Sequence, residues 1–133
     1  MIKKIEHIGV AVKDLEKTEK FYSEILSLDV SDGGTYGDLK VSFLPVGDVR
    51  IELLQSTMPN GLIAKFIDKK GEGVHHIAYE VDNINKALED LQAKGVELID
   101  KQPRIGAHNS KVAFINPKSS YGILVELVEL ETK

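Results

Sequence analysis

The amino-acid sequence predicts an α+β fold in which two βαβββ modules form a curved mixed sheet. The first observation is an internal repeat, since IEHIGVAV at residues 5–12 aligns with VHHIAYEV at residues 74–81 at an offset of 69 residues. The second is that later segments repeat in the same order: KVSFL at 40–44 matches KVAFI at 111–115, and IELL at 51–54 matches VELV at 125–128. Apolar and polar residues alternate within these runs, as is typical of strands. The repeat therefore predicts one structural unit used twice.

A helix is predicted after the first strand of each unit. The first helix begins near Asp14 and the second near Asn83, and both residue types are favoured as N-caps. Gly95 is suited to end the second helix. Apolar residues recur near the 3.6-residue helical period and are expected to face the sheet: Leu15, Tyr22, Ile25 and Leu26 in the first helix, and Ile84, Ala87, Leu88 and Leu91 in the second.

The whole chain, residues 1–133, is expected to form one domain, since this length suits one hydrophobic core. Module one covers about 4–56, a linking helix about 60–70, and module two about 73–129. The segment LIAKFIDKKG at 62–71 predicts the linking helix, which ends at Gly71. Turns at Gly47-Asp48 and Asn116-Pro117 separate paired extended runs, as hairpins require.

Composition excludes several classes of partner and site. The formal net charge is -4 and no run of basic residues occurs, so we expect no nucleic-acid partner. No apolar stretch is long enough to cross a membrane and no signal-peptide pattern is present, so we expect a cytoplasmic protein that binds no membrane. The absence of cysteine excludes disulfides and thiolate metal sites, so any metal must be held by His, carboxylate or amide groups.

Side chains alternate between the two faces of a strand, so position within each run indicates which residues share a surface. One face is expected to be the core beneath the helices, with Ile8, Val10, Val12, Ile51, Leu53, Ile77, Tyr79, Val81, Ile123, Val125 and Leu127. Small residues on the opposite face are expected to leave open space there, namely Gly9, Ala11 and Ala78.

Four polar residues that correspond in the repeat fall on this second face. His7 corresponds to His76, and Glu52 corresponds to Glu126. A single His or Glu on a strand is usually solvated, but chance would seldom place all four on the face that is not core. We therefore predict a metal site formed by these four side chains. His75 has the opposite parity, and we expect it to be buried or to face a helix.

Two imidazoles and two carboxylates suit a divalent ion that accepts octahedral geometry, such as cobalt, nickel, manganese, iron or zinc. Four protein ligands leave two positions open, which can chelate two oxygens of one substrate. The ion would then stabilise negative charge on those oxygens as a Lewis acid. This chemistry suits reactions that pass through an enolate or enediolate, and a metal-bound carboxylate is one source of the base that they need.

Three segments resemble the methylmalonyl-CoA epimerases, and the resemblance covers nearly the full chain. They are GEGVHHIAYEVDNI at 71–84, LIAKFIDKKG at 62–71 and LIDKQPRIGAHNSKVAFINPKSSYGILVELVE at 98–129. The succession PRIGA, KVAF, PKS and GILVEL is the most specific part. The resemblance implies the vicinal oxygen chelate (glyoxalase) fold, and the metal ligands of the family fall on His7, Glu52, His76 and Glu126. Related enzymes often have Gln at the second of these positions.

The resemblance implies epimerisation of methylmalonyl-CoA between its 2R and 2S forms. One divalent ion per chain, Co2+ in the first place with Ni2+, Mn2+ or Zn2+ as alternatives, would chelate the thioester and carboxylate oxygens. Proton abstraction at C2 would give a metal-stabilised enolate, and reprotonation on the other face would invert the centre. Glu126 carries over as one acid/base of this reaction.

The second acid/base departs from the family pattern. Alignment through Pro45 places Lys40 where the family has a carboxylate, and Lys40 shares the open-face parity of Ser42. A solvent-exposed strand lysine fits the pattern equally well. Asp38 ranks below Lys40, because it would need a small shift of the strand register.

The loops of module two contain the candidate residues for binding coenzyme A. Arg104, Lys118 and Ser119 could contact its phosphates or the substrate carboxylate, although charged loop residues are often only solvated. The expected partners are a small acyl-CoA substrate and a second copy of the chain in a homodimer.

Three other activities are compatible with this fold. Lactoylglutathione lyase acts on a glutathione hemithioacetal and shares the His/Glu quartet, but the PRIGA and PKS segments favour the epimerase. An antibiotic-sequestering binding protein would generally lack a complete quartet. A ring-cleaving dioxygenase would usually have three ligands and a longer chain.

Overall fold

The structure, a computed structural model, describes residues 1–131, apart from the side chain of Asp32. The elements are β1 (Ile2–Ala11), α1 (Leu15–Lys20), β2 (Ser31–Tyr36), β3 (Leu39–Val46), β4 (Val49–Ser56), α2 (Leu62–Lys70), β5 (Gly73–Val81), α3 (Ile84–Ala93), β6 (Arg104–Ile105), β7 (Lys111–Ile115) and β8 (Val125–Glu129). A π-helical turn at Phe21–Ile25 continues α1, and a 3-10 turn at Ala107–Asn109 lies between β6 and β7. The predicted βαβββ order thus occurs twice, and the predicted α+β fold is confirmed.

The eight strands form a mixed sheet with the order β2-β3-β4-β1-β5-β8-β7-β6. In each module the first strand runs parallel to the last, β1 with β4 and β5 with β8. The hairpin pairs β3–β4 and β7–β8 are antiparallel. The registers also correspond: Gly9 lies opposite Glu52 in module one, and Ala78 lies opposite Glu126 in module two. The sequence repeat is therefore also a repeat of strand pairing.

Capping residues set the ends of the helices where the sequence predicts them. The Asp14 side chain accepts a hydrogen bond from the backbone N–H of Lys17 at 3.1 Å, and Asn83 accepts one from Lys86 at the same distance. These bonds satisfy N–H groups that have no partner within the helix. Gly71, with φ of 81°, follows the last residue of α2 as predicted.

Within residues 1–131, no helix combines the length and the apolar composition needed to cross a membrane.

The chain divides into two compact units, one formed by Met1–Glu6 with His76–Lys133 and the other by His7–His75. In the second of these units, helices cover both faces of the sheet. One cluster packs against α2 and contains Ala11, Val41, Phe43, Leu54 and Ile63, with Leu39, Phe66 and Ile67 beside it. The other packs against α1 and contains Val12, Leu15, Leu44 and Leu53, with Val10, Tyr22 and Ile51 beside it.

The expectation of open space beside Ala11 and Ala78 is therefore wrong. Both residues are fully buried. Ala11 packs in the cluster formed with α2, because the linking helix covers part of the face that alternation alone left open. The predicted core residues Ile8 and Val10 are only partly buried.

The first helix also departs from its predicted apolar face. Tyr22 packs against the core, but Ile25 is 68% exposed and Leu26 is 50% exposed. The prediction assumed a regular period of 3.6 residues through residue 26. The π-helical turn at Phe21–Ile25 places more residues in one turn, so the side chains beyond Tyr22 rotate away from the sheet.

The unit that contains module two has one core beneath α3. Its buried side chains are Val81, Ile84, Ala87, Leu88, Ala113, Ile115 and Leu127, with Tyr79, Leu91, Val96, Leu98 and Val125 packed against them. The apolar face predicted for α3 is thus confirmed. Ile123 is an error in the predicted core, because it lies before β8 begins and is 49% exposed.

Candidate functional site

In module one, the pairing of β1 with β4 brings His7 and Glu52 together. Gly9 lies opposite Glu52, and since alternate residues share a face, His7 lies on that face too. Gly9 has no side chain to separate the two groups. The His7 Nε2 atom lies 3.6 Å from Glu52 Oε1.

Module two repeats this arrangement with β5 and β8. Ala78 lies opposite Glu126, so His76 and Glu126 share a face. The His76 Nε2 atom lies 3.1 Å from Glu126 Oε1. The structure therefore brings each predicted histidine ligand together with the predicted carboxylate of its own module.

These side chains are more buried than alternation predicted. His7, His76 and Glu126 are each less than 9% exposed, and the Glu52 side chain is 14% exposed. Buried polar groups are costly unless they have a partner. Each imidazole has the carboxylate of its module as one partner. Such pairs are typical of ligand sets and catalytic groups rather than of solvated surface residues.

Each pair has a geometry that suits neighbouring ligands of one ion. Nitrogen and oxygen ligands lie about 2.1 Å from a transition-metal ion, so two ligands at a right angle are about 3 Å apart. The two pairs, at 3.6 and 3.1 Å, are close to this separation. The donor atoms are nitrogen and oxygen without sulfur, which suits the divalent ions predicted from the sequence.

A phenylalanine lies beside each His–Glu pair, and the sequence-based prediction included neither of these two residues. Phe43 lies opposite Glu52 in β3–β4, and Phe114 lies opposite Glu126 in β7–β8. The Phe114 ring meets the His76 imidazole edge to face, with 6.0 Å between the ring centroids. KVSFL and KVAFI both contain this Phe, so the repeat itself was the signal that could have identified it.

An arginine lies over each of these rings. The Arg50 guanidinium carbon is 4.3 Å from the centroid of the Phe43 ring, and that of Arg104 is 5.6 Å from the centroid of the Phe114 ring. Both distances are typical of cation–π contacts. Arg104 was predicted to bind substrate, whereas Arg50 was not considered. Arg50 lies two residues before Glu52 in the same predicted strand, and this spacing was the signal that could have placed it on the face of Glu52.

The predicted coenzyme A residues have different surroundings. The Arg104 guanidinium donates to Asp100 Oδ2 at 3.1 Å, and the Arg104 side chain is 58% exposed. Lys118 is exposed in the β7–β8 connection. Ser119 Oγ accepts a hydrogen bond from the backbone N–H of Glu97 at 2.8 Å, so this hydroxyl also fixes the loop.

The register of β3 corrects the parity assigned to Lys40. Lys40 lies opposite Gln55, whereas Phe43 lies opposite Glu52. Because alternate residues share a face, Lys40 lies with Ser42 and Leu44 on the face that packs against α1. Glu52 lies on the other face. The expectation that Lys40 shares the face of the predicted ligands is therefore wrong.

The turn that contains Asp38 is also distant from Glu52 along the sheet. The Asp38 carbonyl accepts a hydrogen bond from the N–H of Thr57 at 2.8 Å. Thr57 follows Glu52 by five residues, which is roughly 16 Å along an extended strand. A small register shift does not remove this separation.

His75 faces a helix, as predicted. Its ring packs edge to face on Phe66 of α2, with 4.9 Å between the centroids. His75 and His76 are adjacent in β5 and point to opposite faces. Substitution of His75 is therefore a matched control for substitution of His76.

Comparisons with known proteins agree with this architecture. Residues 6–114 match the model of the glyoxalase/bleomycin resistance protein/dioxygenase superfamily. The chain is 41% identical to the mitochondrial methylmalonyl-CoA epimerase of Homo sapiens, over 93% of this chain and 72% of that protein. The crystal structure of methylmalonyl-CoA epimerase from Mycobacterium tuberculosis has a TM-score of 0.91 at 30% identity, over 98% of this chain and 90% of that one. A methylmalonyl-CoA epimerase in complex with methylmalonyl-CoA and NH4+ has a TM-score of 0.90 at 30% identity, over 99% and 97% of the two chains.

Proposed function

The chain belongs to the glyoxalase/bleomycin resistance protein/dioxygenase superfamily, and from this premise we propose that it is a methylmalonyl-CoA epimerase. The reaction interconverts the 2R and 2S forms of the thioester. The main observation in support is that each module holds a buried His–Glu pair at the same place in its strand register. Relatives named as epimerases of methylmalonyl-CoA support the substrate.

We assign His7, Glu52, His76 and Glu126 as ligands of one divalent ion per chain. Their donor groups, two imidazoles and two carboxylates, are of the kinds that hold such an ion. When bound, the ion supplies a positive charge that stabilises the negative charge developing on the substrate oxygens. Co2+ is the first ion to test, and Ni2+, Mn2+ and Zn2+ are the alternatives. The chain contains no cysteine, so its ligands would be nitrogen and oxygen donors, which do not favour soft ions.

Glu126 is the group that we assign to proton transfer at C2. Its carboxylate is buried beside His76, in a position where water has little access. A carboxylate in such a place can take a proton from carbon and hold it for return. Inversion requires that a proton be returned to the opposite side of the planar carbon.

Arg104 and Lys118 are the residues that we assign to the phosphates of coenzyme A. Both are exposed and cationic, and arginine can donate two parallel hydrogen bonds to a phosphate. Ser119 completes the proposed set, because its hydroxyl accepts the bond from Glu97 and still has its own proton to donate.

We also propose that the chain acts as a homodimer in the cytoplasm. The exposed apolar side chains at the π-helical turn, Phe21, Ile25 and Leu26, support pairing with a second copy. Size-exclusion chromatography with light scattering tests the dimer. A monomeric mass throughout the micromolar range would contradict it.

The activity is tested by deuterium exchange at C2 of methylmalonyl-CoA in D2O with cobalt-loaded protein. The glutathione hemithioacetal of methylglyoxal serves as the second substrate. We expect exchange and inversion with the thioester alone. Turnover of the hemithioacetal alone would show that the activity is that of lactoylglutathione lyase and not that of an epimerase. No reaction with either substrate would overturn both proposed activities.

A further inference from the structure

Tyr121 is the most exposed aromatic side chain in the part of the chain that the structure describes. It is 97% exposed, whereas Phe21 and Tyr36, the next most exposed aromatic residues, are each 50% exposed. A ring in this position buries almost no surface in the fold, so it adds little to the stability of the chain. The ring is instead available to a molecule that approaches from solvent.

The backbone holds Tyr121 in a conformation that tyrosine rarely adopts. Its φ is 58°, in the left-handed region that is uncommon for bulky residues, and Gly122 follows it with φ of 96°. Residues held in such conformations persist only where the surrounding structure fixes them, and they are concentrated at functional sites that include ligand clamps. The loop thus holds the ring of Tyr121 in solvent at the cost of local strain.

Hydrogen bonds restrain the β7–β8 loop, residues 116–124, that carries this ring. The N–H of Gly122 donates to the carbonyl of Pro117 at 2.8 Å, which closes a turn around the four residues between them. The N–H of Glu97 donates to Ser119 Oγ at 2.8 Å and ties the turn to the segment before β6. A side chain carried by this turn is therefore held in place without being buried.

The same turn carries an exposed cation and leads into the strand of a proposed acid/base. Lys118 and Tyr121 are three residues apart within the closed turn, and both are exposed. After the turn, the carbonyl of Leu124 accepts a hydrogen bond from the N–H of Ile77 at 3.1 Å, and Glu126 is the second residue of β8. An aromatic ring and a cation thus lie in one turn, at the end of the strand that contains Glu126.

We propose that the ring of Tyr121 stacks on the adenine of coenzyme A while Lys118 binds the phosphate next to it. This inference rests on the proposed function, which assigns Lys118 to these phosphates. Adenine has a flat aromatic face and the ribose beside it carries a phosphate, so the two groups match a ring and a cation in one turn. The pantetheine arm separates adenine from the thioester, so the contact increases affinity and takes no part in proton transfer.

The test compares binding of methylmalonyl-CoA and of methylmalonyl-pantetheine, which lacks the adenosine and its phosphates, by titration calorimetry. Tyr121→Asn removes the ring but introduces a residue type that tolerates positive φ, so the loop should keep its shape. Tyr121→Phe keeps the ring and removes only the hydroxyl. Tyr36→Asn is the matched control, because Tyr36 is an exposed tyrosine of the other compact unit. Metal content, thermal unfolding and the molecular mass in solution are measured for each protein.

We expect Tyr121→Asn to weaken binding of methylmalonyl-CoA by about five- to hundredfold, the range that stacking of one base on one aromatic side chain implies. Its binding of methylmalonyl-pantetheine and its metal content should stay at the wild-type values. Tyr121→Phe and Tyr36→Asn should bind both thioesters as the wild type does.

Equal loss for the two thioesters in Tyr121→Asn, or no loss for either, would overturn the stacking of Tyr121 on adenine. Dissociation of this variant into monomers with unchanged binding of methylmalonyl-CoA would overturn it too, and would assign the ring to contact with a second copy of the chain. If the wild type binds methylmalonyl-CoA but epimerises neither thioester, the proposed function fails. The ratio of the two affinities in Tyr121→Asn would still decide the role of the ring.

Discussion

The ring of Phe114 packs edge to face on the imidazole of His76, on the same sheet face as Glu126. The backbone N–H of Phe114 in turn donates to Asp100 Oδ2 at 2.9 Å, and the same oxygen accepts from Arg104. The strand backbone at Phe114 is thus anchored to Asp100, and the Phe114 ring restricts the imidazole of His76. A rigid imidazole loses little freedom when its Nε2 atom binds an ion.

Phe114→Leu should weaken metal binding by about two- to tenfold, which corresponds to the energy of one edge-to-face aromatic pair. Competition with a chelator of known affinity measures the change. Phe66→Leu is the matched control, because Phe66 packs in the same way on His75, which is not a proposed ligand. Equal weakening in both variants would remove the specific role of Phe114.

His76→Ala should abolish both stoichiometric metal binding and activity. Loss of a direct ligand should exceed the about 10- to 100-fold cost of losing a residue that only supports a ligand. Elemental analysis after dialysis measures bound metal. His75→Ala, altered at the neighbouring position and the opposite face, should keep its metal. Full metal content in His76→Ala would show that the ligand set is misassigned.

Glu126→Gln should keep a measurable fraction of the metal yet slow C2 deuterium exchange by at least about 100-fold, because an amide is not a proton acceptor. Glu129→Gln is the control in the same strand. Its Oε1 atom accepts the N–H of Ile84 at 2.9 Å, and an amide oxygen can replace it. Exchange at the wild-type rate in Glu126→Gln would exclude Glu126 as the acid/base.

Lys40→Ala should leave kcat and KM within about twofold of the wild type, since substitutions away from a site usually have small effects. The physical reason is the strand register, which places Lys40 on the α1 face and Glu52 on the other. Steady-state kinetics with methylmalonyl-CoA measure the result. A large fall in kcat without metal loss would restore Lys40 as an acid/base and contradict the inference from the register.

Asn83→Ala should lower the free energy of unfolding by about 1 kcal/mol, as expected for an N-cap that loses its hydrogen bond. The lost bond is the one from Lys86 N–H to the Asn83 side chain. Urea denaturation followed by circular dichroism measures the change. Asn85→Ala on the exposed side of α3 should not destabilise the protein, because alanine is the better helix former.

The fold was predictable because repetition and capping are local properties of the sequence. Two copies of the same strand pattern gave the βαβββ order, and Asp14 and Asn83 marked the helix starts that the structure shows. The shared face of each His–Glu pair followed from the same repeat, since equivalent residues of a duplicated strand keep their parity.

Features that depend on packing partners could not be read from alternation. Nothing in the strand pattern says that α2 packs against Ala11, because helix placement depends on contacts distant in sequence. Lys40 was misplaced for a related reason. A shift of one residue in the strand register moves a side chain to the other face of the sheet. Alignment of a sequence to a family does not fix the register to within one residue.

The π-helical turn after α1 makes the first helical segment longer than its counterpart in module two. The turn and α1 together span eleven residues, whereas α3, at the corresponding place in the repeat, spans ten. A helix can accommodate one additional residue as a wider turn rather than by unfolding. Removal of one residue near Phe21 should therefore regularise the helix and give the helical segments of the two modules equal length.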